Sequence, residues 1–265
     1  MHAFNYHRPA NVNDAAALAA KSADAKLLAG GQSLVQAMKL RLAAPTDIVD
    51  LGMIKDLAGI KVDGKTVIIG AMARHAEVAG SAEVKKAIPA LAALAGMIGD
   101  RQVRNMGTLG GALANSDPAA DYPAAVLGLA ATITTTKGTH AADKFFKGLY
   151  ETALKPGEVI TSVSFPIPKR AAYAKFKNPA SRFAIVGVFV ADMGNGVRVA
   201  VTGAGPCALR LAEMEKALTA KFAPDSVANL KVKADGLNSD LHASAEYRAH
   251  LITVMAKRAV EAALK

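Results

Sequence analysis

Two pairs of adjacent glycines have the residue type and spacing that suit phosphate binding. The first pair, Gly30-Gly31, separates the short apolar run Leu27–Ala29 from Gln32-Ser33-Leu34, where helical spacing begins. Glycine lacks a Cβ, so its backbone amides can approach an anion, and a helix start adds further unpaired amides. The pattern predicts a phosphate-binding turn in which Ser33 adds a donor. For this motif alone, an ordinary tight turn is the alternative.

The second pair, Gly110-Gly111, lies 80 positions later and follows Gly107-Thr108-Leu109. A hydroxyl again stands close to adjacent glycines, so two such turns together can grip the two phosphates of a dinucleotide from both sides. Neither motif is Gly-x-Gly-x-x-Gly or a Walker loop, and neither of those patterns occurs elsewhere in the chain. A standard nicotinamide-binding Rossmann fold is therefore disfavoured.

The elements that must position these turns follow from apolar periodicity and from Gly and Pro breaks. A first α/β unit, about residues 1–55, is predicted to contain a helix at Ala15–Ala20 capped by Asn13, a strand at Lys26–Ala29, a helix at Ser33–Leu42 and a strand at Asp47–Leu51. A second unit, about 56–170, is predicted to contain strands at Thr66–Gly70, Thr132–Thr136 and Glu158–Phe165, helices at Ile88–Ile98 and Tyr122–Ala130, and a loop over Arg101–Ala120.

Beyond Pro168 the pattern changes, which predicts a domain boundary near residue 170. Val-rich runs at Phe183–Asp192 and Val197–Thr202 flank Gly194-Asn195-Gly196, which indicates a hairpin. Helical spacing follows at Leu209–Leu218 and Ala245–Leu264. The predicted organisation is thus a domain at 1–170 and a smaller α/β domain at 171–265.

Composition excludes several classes of protein. The single cysteine, Cys207, cannot form an internal disulfide or hold an iron–sulfur cluster or a Cys-rich zinc site, and it is expected to be a buried small hydrophobe. No secretory signal or membrane span is evident, which favours a reducing cytoplasm. The net charge of +10 is spread without long runs, so it indicates a basic surface or a subunit interface rather than nucleic-acid binding.

No catalytic constellation and no metal site is predicted. Asp117 and Asp121 are four positions apart, but no histidine or third acid accompanies them. His75 is expected to be a surface or capping residue.

In order along the chain, several motifs resemble the FAD subunits of the xanthine dehydrogenase and aerobic carbon monoxide dehydrogenase group. The likeness covers nearly the whole sequence. It rests on the segments Ala29–Leu34, Ile68–Ala71, Gln102–Gly111, Asp117–Asp121, Ala172–Phe176, Ala204–Pro206 and Ser244–Arg248.

The resemblance implies an α/β (α+β) fold: a two-subdomain FAD-binding domain of the vanillyl-alcohol-oxidase type, closed by a smaller C-terminal α/β domain. It implies that two segments hold the FAD pyrophosphate. The first consists of Ala29, Gly30, Gly31, Gln32, Ser33 and Leu34, and the second contains Thr108, Gly110 and Gly111.

Further residues acquire roles only through the resemblance. Ile98 is expected to lie against the flavin or its chain, and Asp121 to hydrogen-bond the nucleotide part of FAD. Ile160 and Lys175 match contact positions, and Lys175 is expected to favour a reduced, anionic flavin. Phe183 stands where some relatives carry a tyrosine beside the isoalloxazine ring; a core residue opening a strand is the alternative. Ala112 departs from the family's frequent asparagine, which removes one potential hydrogen bond to FAD.

The implied function is electron transfer within a molybdenum hydroxylase, most like the aerobic carbon monoxide dehydrogenase. Partners would be a large molybdenum-cofactor subunit and a small subunit with two [2Fe-2S] clusters, assembled as a dimer of heterotrimers. FAD would pass electrons to quinone or NAD. Two alternatives remain: a self-contained small flavin oxidase or reductase of the same superfamily, and a scaffold that no longer binds FAD.

Overall fold

A small parallel sheet forms the first unit of the computed structural model, which describes residues 1–265. Its strands have the order β1-β3-β2, and a helix follows each of the first two strands. The turn from β2 into α2 contains the first glycine pair. The elements are β1 (Asn5–His7), α1 (Val12–Ala20), β2 (Lys26–Leu28), α2 (Leu34–Lys39) and β3 (Asp47–Asp50).

A five-stranded antiparallel sheet with six short helices forms the second unit. The strand order is β4-β5-β10-β6-β7, and β8 pairs with β9 separately. The elements are β4 (Ile60–Asp63), β5 (Thr66–Gly70), α3 (His75–Gly80), α4 (Ala82–Ala87), α5 (Pro89–Gly96), α6 (Arg101–Met106), α7 (Leu109–Asn115), α8 (Tyr122–Gly128), β6 (Thr132–Thr135), β7 (Gly138–Ala141), β8 (Phe146–Gly148), β9 (Glu151–Thr152) and β10 (Ile160–Pro166).

The third unit is a four-stranded antiparallel sheet covered by helices. Strands β12 and β13 form the hairpin indicated by Gly194-Asn195-Gly196, and α11 packs across β11 and β12. The elements are β11 (Arg170–Lys177), β12 (Ala184–Asp192), β13 (Val197–Thr202), β14 (Leu209–Arg210), α9 (Ala212–Ala220), α10 (Asp225–Ala228) and α11 (Ala245–Ala263).

Strands β12 and β13 hold one segment of the second unit directly. The Thr202 hydroxyl donates to the carbonyls of Pro118 and Ala120 at 2.9 and 2.5 Å. The Gly203 N–H donates to Pro118 at 2.7 Å. In the same contact, Gly128 lies so close to Phe189 that a Cβ would stand 2.7 Å from the ring. The third unit therefore fixes the backbone just before Asp121.

The loop predicted over Arg101–Ala120 is wrong, because two helices occupy most of it. Asp100 caps α6 by accepting from Val103 N at 2.9 Å, and Thr108 caps α7 by accepting from Gly111 N at 3.2 Å. A capping side chain offsets part of the cost of a short helix. Gly110 is needed inside α7 because a Cβ there would lie 2.6 Å from the Ala71 Cβ. The glycines thus serve close packing rather than a loop.

Smaller corrections concern element ends. Asn11, not Asn13, caps α1, with its Oδ1 accepting from Asp14 N at 2.9 Å. The helix predicted from Leu209 begins instead at Ala212, because Leu209 and Arg210 pair with β13 as a short strand.

Candidate functional site

One cavity of about 940 Å³ lies among the three units. Small-molecule sites in proteins span roughly 300–1,000 Å³, so this cavity can hold a large cofactor. All of the predicted binding residues except Lys175 line it: Ala29, Gly30, Gly31, Gln32, Ser33, Leu34, Ile98, Thr108, Gly110, Gly111, Asp121, Ile160 and Phe183.

The first glycine turn presents a run of unpaired backbone donors to this cavity. None of the N–H groups of Gly30, Gly31, Gln32, Ser33 and Leu34 donates a hydrogen bond to another protein atom. Gly31 has φ +69°, a left-handed conformation that glycine adopts at little cost. Consecutive free amides around a left-handed residue form a concave site for anions.

The second turn is fixed by backbone hydrogen bonds to the residues after β5. Leu109 N and Gly110 N donate to the carbonyls of Ala73 and Ala71 at 3.0 and 2.8 Å, and His75 N donates to Gly107 at 2.9 Å. The Thr108 N–H has no protein acceptor. The second turn therefore adds a free amide to the cavity on a rigid base.

The two glycine turns touch. A Cβ built on Gly30 would lie 2.1 Å from the Met106 carbonyl oxygen and 2.6 Å from Gly107 Cα. A Cβ on Gly111 would lie 3.5 Å from the Ala29 Cβ. Only glycine at position 30 permits this approach, which brings both predicted phosphate-binding segments together at one wall of the cavity.

Asp121 is buried in a network that the sequence did not predict. Its carboxylate accepts from the Tyr173 hydroxyl at 2.5 Å and from Lys175 Nζ at 2.8 Å. The side chains of Lys175 and Asp121 are only 2% and 3% exposed. Burial raises the pKa of Asp121, and the charge of Lys175 with the two hydrogen bonds acts against that rise. Lys175 thus lies behind the cavity wall, joined to Asp121.

The remaining wall is mostly apolar. Ile160 at the start of β10 is buried, whereas Ile98 is partly buried at the end of the α5 region. Phe183 is 46% exposed and directly precedes β12, so the alternative that it is a core residue is wrong. Ala112 also lines the cavity. An exposed aromatic ring beside an apolar cavity can stack on a planar ligand.

His75 is a cavity-lining residue that the sequence did not predict. It was expected at the surface, yet it is 5% exposed, and a Cβ on Gly107 would lie 2.5 Å from its Nε2. Burial, with a smaller contribution from the charge of Arg104, lowers its pKa to about 4, so the ring is neutral at pH 7. Its position after Ala71–Arg74 was the available signal, because that segment pairs with the second glycine turn.

Glu158 also lines the cavity and is held by three hydrogen bonds. It accepts from Thr135 Oγ1 at 2.6 Å, from Lys155 N at 2.9 Å and shares a 2.7 Å hydrogen bond with His140 Nε2. Burial acts to raise the pKa of Glu158, but these hydrogen bonds prevail and lower it from 4.5 to about 2. The ionised carboxylate therefore stabilises the folded chain.

We expect Glu158→Gln to reduce stability at pH 7 by about 2 kcal/mol, because the charged acceptor of three hydrogen bonds is lost. The folded-state pKa lies below the unfolded value, so this stabilisation is present above pH 4.5 and is lost as pH falls towards 2. Urea unfolding at several pH values checks this. Glu213→Gln, at an exposed position, is the control. Equal loss of stability at pH 7 and pH 3 would contradict the assignment.

Comparison with known proteins agrees with this geometry. The sequence profile of the FAD binding domain in molybdopterin dehydrogenase matches residues 2–168, and that of the CO dehydrogenase flavoprotein C-terminal domain matches residues 171–263. The carbon monoxide dehydrogenase medium chain of Afipia carboxidovorans is 37% identical, over 98% of this chain and 96% of its own length. The nicotine 6-hydroxylase medium subunit of Paenarthrobacter nicotinovorans is 35% identical, over 97% and 96%.

Solved structures of related oxidoreductases superpose on nearly the whole chain. A chain of the Cu,Mo-CO dehydrogenase superposes with a TM-score of 0.89 at 34% identity, covering 99% of this chain and 98% of that one. A chain of quinoline 2-oxidoreductase from Pseudomonas putida 86 superposes with a TM-score of 0.87 at 29% identity, covering 98% and 96%.

The fold and the double glycine turn define a flavoprotein subunit of the oxidoreductase class. The chain belongs to the family of FAD-binding medium subunits of molybdenum hydroxylases, and its likeness to the carbon monoxide dehydrogenase medium chain extends over both domains. The predicted family, fold class and cofactor are confirmed. No helix is long and apolar enough to cross a membrane.

Proposed function

We propose that this chain carries electrons from iron–sulfur clusters on a partner subunit, through its FAD, to an external acceptor such as quinone or NAD. Flavins exchange electrons with such centres, while the protein holds the cofactor and tunes its potential. Substrate oxidation would take place at a molybdenum cofactor on a large subunit. The single cysteine, Cys207, supports this division of labour because it cannot hold a cluster.

The unpaired amides of Gly30–Leu34 carry the proposal. Five consecutive donors without protein acceptors, set against the free Thr108 amide, suit the four charged or polar oxygens of a pyrophosphate. We assign the pyrophosphate to Ala29–Leu34 with Thr108, Gly110 and Gly111. Ile98, Ile160 and Phe183 then form the apolar surroundings of the ring system, with Asp121 at the nucleotide part.

The domain division follows the same assignment. We propose an FAD-binding domain at 1–170, with subdomains at about 1–55 and 56–170, and a closing domain at 171–265.

The partners proposed are a large molybdenum subunit and a small subunit with two [2Fe-2S] clusters, in a dimer of heterotrimers. Carbon monoxide ranks first as the substrate of the complex, because the medium chains of carbon monoxide dehydrogenases are 37% and 36% identical to this chain. A cytoplasmic location remains a prediction.

Purification from the native host tests the function. We expect flavin absorbance to co-elute with a molybdenum-containing large subunit and an iron–sulfur small subunit, and the flavin to be bleached when the substrate of the complex is added. Flavin on a chain that elutes alone and turns over a substrate would favour the self-contained oxidase or reductase instead. A chain that binds no FAD after reconstitution would overturn both the electron-transfer function and the self-contained oxidase or reductase.

A further inference from the structure

We propose that Arg104 and Arg182 position Ile98 and Gly99 at the flavin and supply the net positive charge there, whereas Lys175, which pairs with Asp121, supplies none. The proposal rests on FAD occupying the cavity described above. It replaces the electrostatic role that the family resemblance suggested for Lys175 with two residues that the resemblance did not single out.

Three cationic side chains bind three consecutive carbonyls directly after α5. Lys175 Nζ donates to Met97 at 3.2 Å, Arg104 donates to Ile98 at 3.0 Å and to Gly99 at 3.1 Å, and Arg182 donates to Gly99 at 3.3 Å. Met97 is the C-cap of α5, and a carbonyl at a helix C-terminus lacks an intrahelical partner and carries partial negative charge, so a cation satisfies it well. The carbonyls of Ile98 and Gly99 follow in the connection to α6.

This segment is part of the cavity wall. Ile98 and Gly99 both line it, as does Arg182. Gly99 has φ +50°, and a Cβ there would lie 2.8 Å from Val103 Cγ1 of α6. The backbone of Gly99 is therefore held by α6 from one side and by Arg182, from the third unit, on the other. Arg104 fixes the carbonyl of Ile98 itself, which sets the direction of that residue's backbone beside the ligand.

The three cations differ in whether a negative charge neutralises them. Lys175 pairs with Asp121 at 2.8 Å, so the pair has no net charge when both groups are ionised. Arg104 and Arg182 donate to neutral carbonyls and form no ion pair. The positive charge of Arg104 already acts on the cavity wall, because it helps to lower the pKa of His75.

An uncompensated cation near a flavin favours the reduced form, which carries more negative charge. Removing the charge should therefore weaken the binding of reduced FAD more than that of oxidised FAD. Arg104 is partly buried and Arg182 is exposed. Water and salt screen an exposed charge more strongly, so the larger effect belongs to Arg104.

The test measures the flavin midpoint potential and the FAD affinity of the full chain reconstituted with FAD. For Arg104→Met we expect the ratio of reduced to oxidised FAD affinity to fall about tenfold, which lowers a two-electron potential by about 30 mV. Arg182→Met should give a smaller shift that disappears at high salt. Arg104→Lys should retain most of the potential but bind both forms of FAD more weakly, because it keeps the charge and loses the paired contacts with Ile98 and Gly99.

Two further variants distinguish the effect of the Arg104 charge from the effect of removing any charge nearby. Arg101→Met removes an exposed charge from the same helix, at a residue whose side chain donates to none of the carbonyls of Met97–Gly99, and should leave the potential unchanged. The double variant Lys175→Met/Asp121→Asn removes a neutral pair beside the nucleotide part of FAD, so it should weaken the binding of both forms of FAD alike and shift the potential less than Arg104→Met does. A shift for Arg104→Met no larger than that for Arg101→Met would overturn the proposal, and Arg182→Met still tests it if Arg104→Met does not fold. A wild-type chain that binds no FAD would refute the proposed function instead.

Discussion

Replacing Gly30 by alanine should abolish tight FAD binding. The new Cβ would lie 2.1 Å from the Met106 carbonyl oxygen and 2.6 Å from Gly107 Cα, and both are backbone atoms that cannot rotate away. The two glycine turns must then separate, which moves the free amides of Gly30–Leu34 away from the Thr108 amide. Overpacking of this kind costs about 3 kcal/mol, so we expect FAD affinity to fall on the order of 100-fold.

Flavin fluorescence titration of the purified variant measures that loss. Gly80→Ala is the matched control, because no atom lies within 4 Å of its Cβ position at the end of α3. Gly111→Ala should fall between the two, since its Cβ would meet the Thr108 hydroxyl oxygen at 2.9 Å and the Ala29 Cβ at 3.5 Å. Circular dichroism establishes that the variants are folded. An affinity for Gly30→Ala equal to that for Gly80→Ala would show that contact between the turns is not required.

The glycine turns themselves could be predicted because their signal is local. Gly30-Gly31 and Gly110-Gly111 each combine residues within a few positions of one another, and the strand before the first pair is evident from apolar run length. The helices on either side of Gly107 could not be predicted from this local signal, because glycine content argues against a helix. The helix after Gly107, α7, is held by Ala71 and Ala73, which lie more than 30 positions away in the chain.

The electrostatics of the site could not be predicted from spacing. Lys175 and Asp121 are 54 positions apart, and their pairing depends on how β11 packs against the start of α8. Burial of His75 likewise depends on Gly107 and Tyr122, which approach it from two different segments. Family resemblance named Lys175 as a site residue, but only packing decides whether its charge is free or neutralised.

Breaking the pair of Lys175 and Asp121 should strongly destabilise the folded chain. Both side chains are almost wholly buried, and Lys175→Met leaves a carboxylate in a low-dielectric interior with only the Tyr173 hydroxyl as a donor. Removing one partner of a buried ion pair costs about 3–5 kcal/mol. We expect a loss of this size in urea unfolding at neutral pH. Arg170→Met is the control. Arg170 lies on the same strand as Lys175 and pairs with Asp192 of β12 at 3.4 Å, but it is far more exposed, so its loss should cost about 1 kcal/mol.

The pH dependence of the Lys175→Met variant distinguishes a lost charge partner from lost packing. Burial already raises the pKa of Asp121, and without Lys175 only the hydrogen bond from Tyr173 still opposes that rise. A carboxyl whose folded-state pKa exceeds its unfolded value of about 3.9 stabilises the fold at low pH and loses that contribution as pH rises. The deficit of Lys175→Met relative to wild type should therefore be small near pH 4 and grow towards pH 7. The double variant Lys175→Met/Asp121→Asn should recover much of the stability at pH 7, whereas a packing defect would give a deficit that neither pH nor the second substitution relieves.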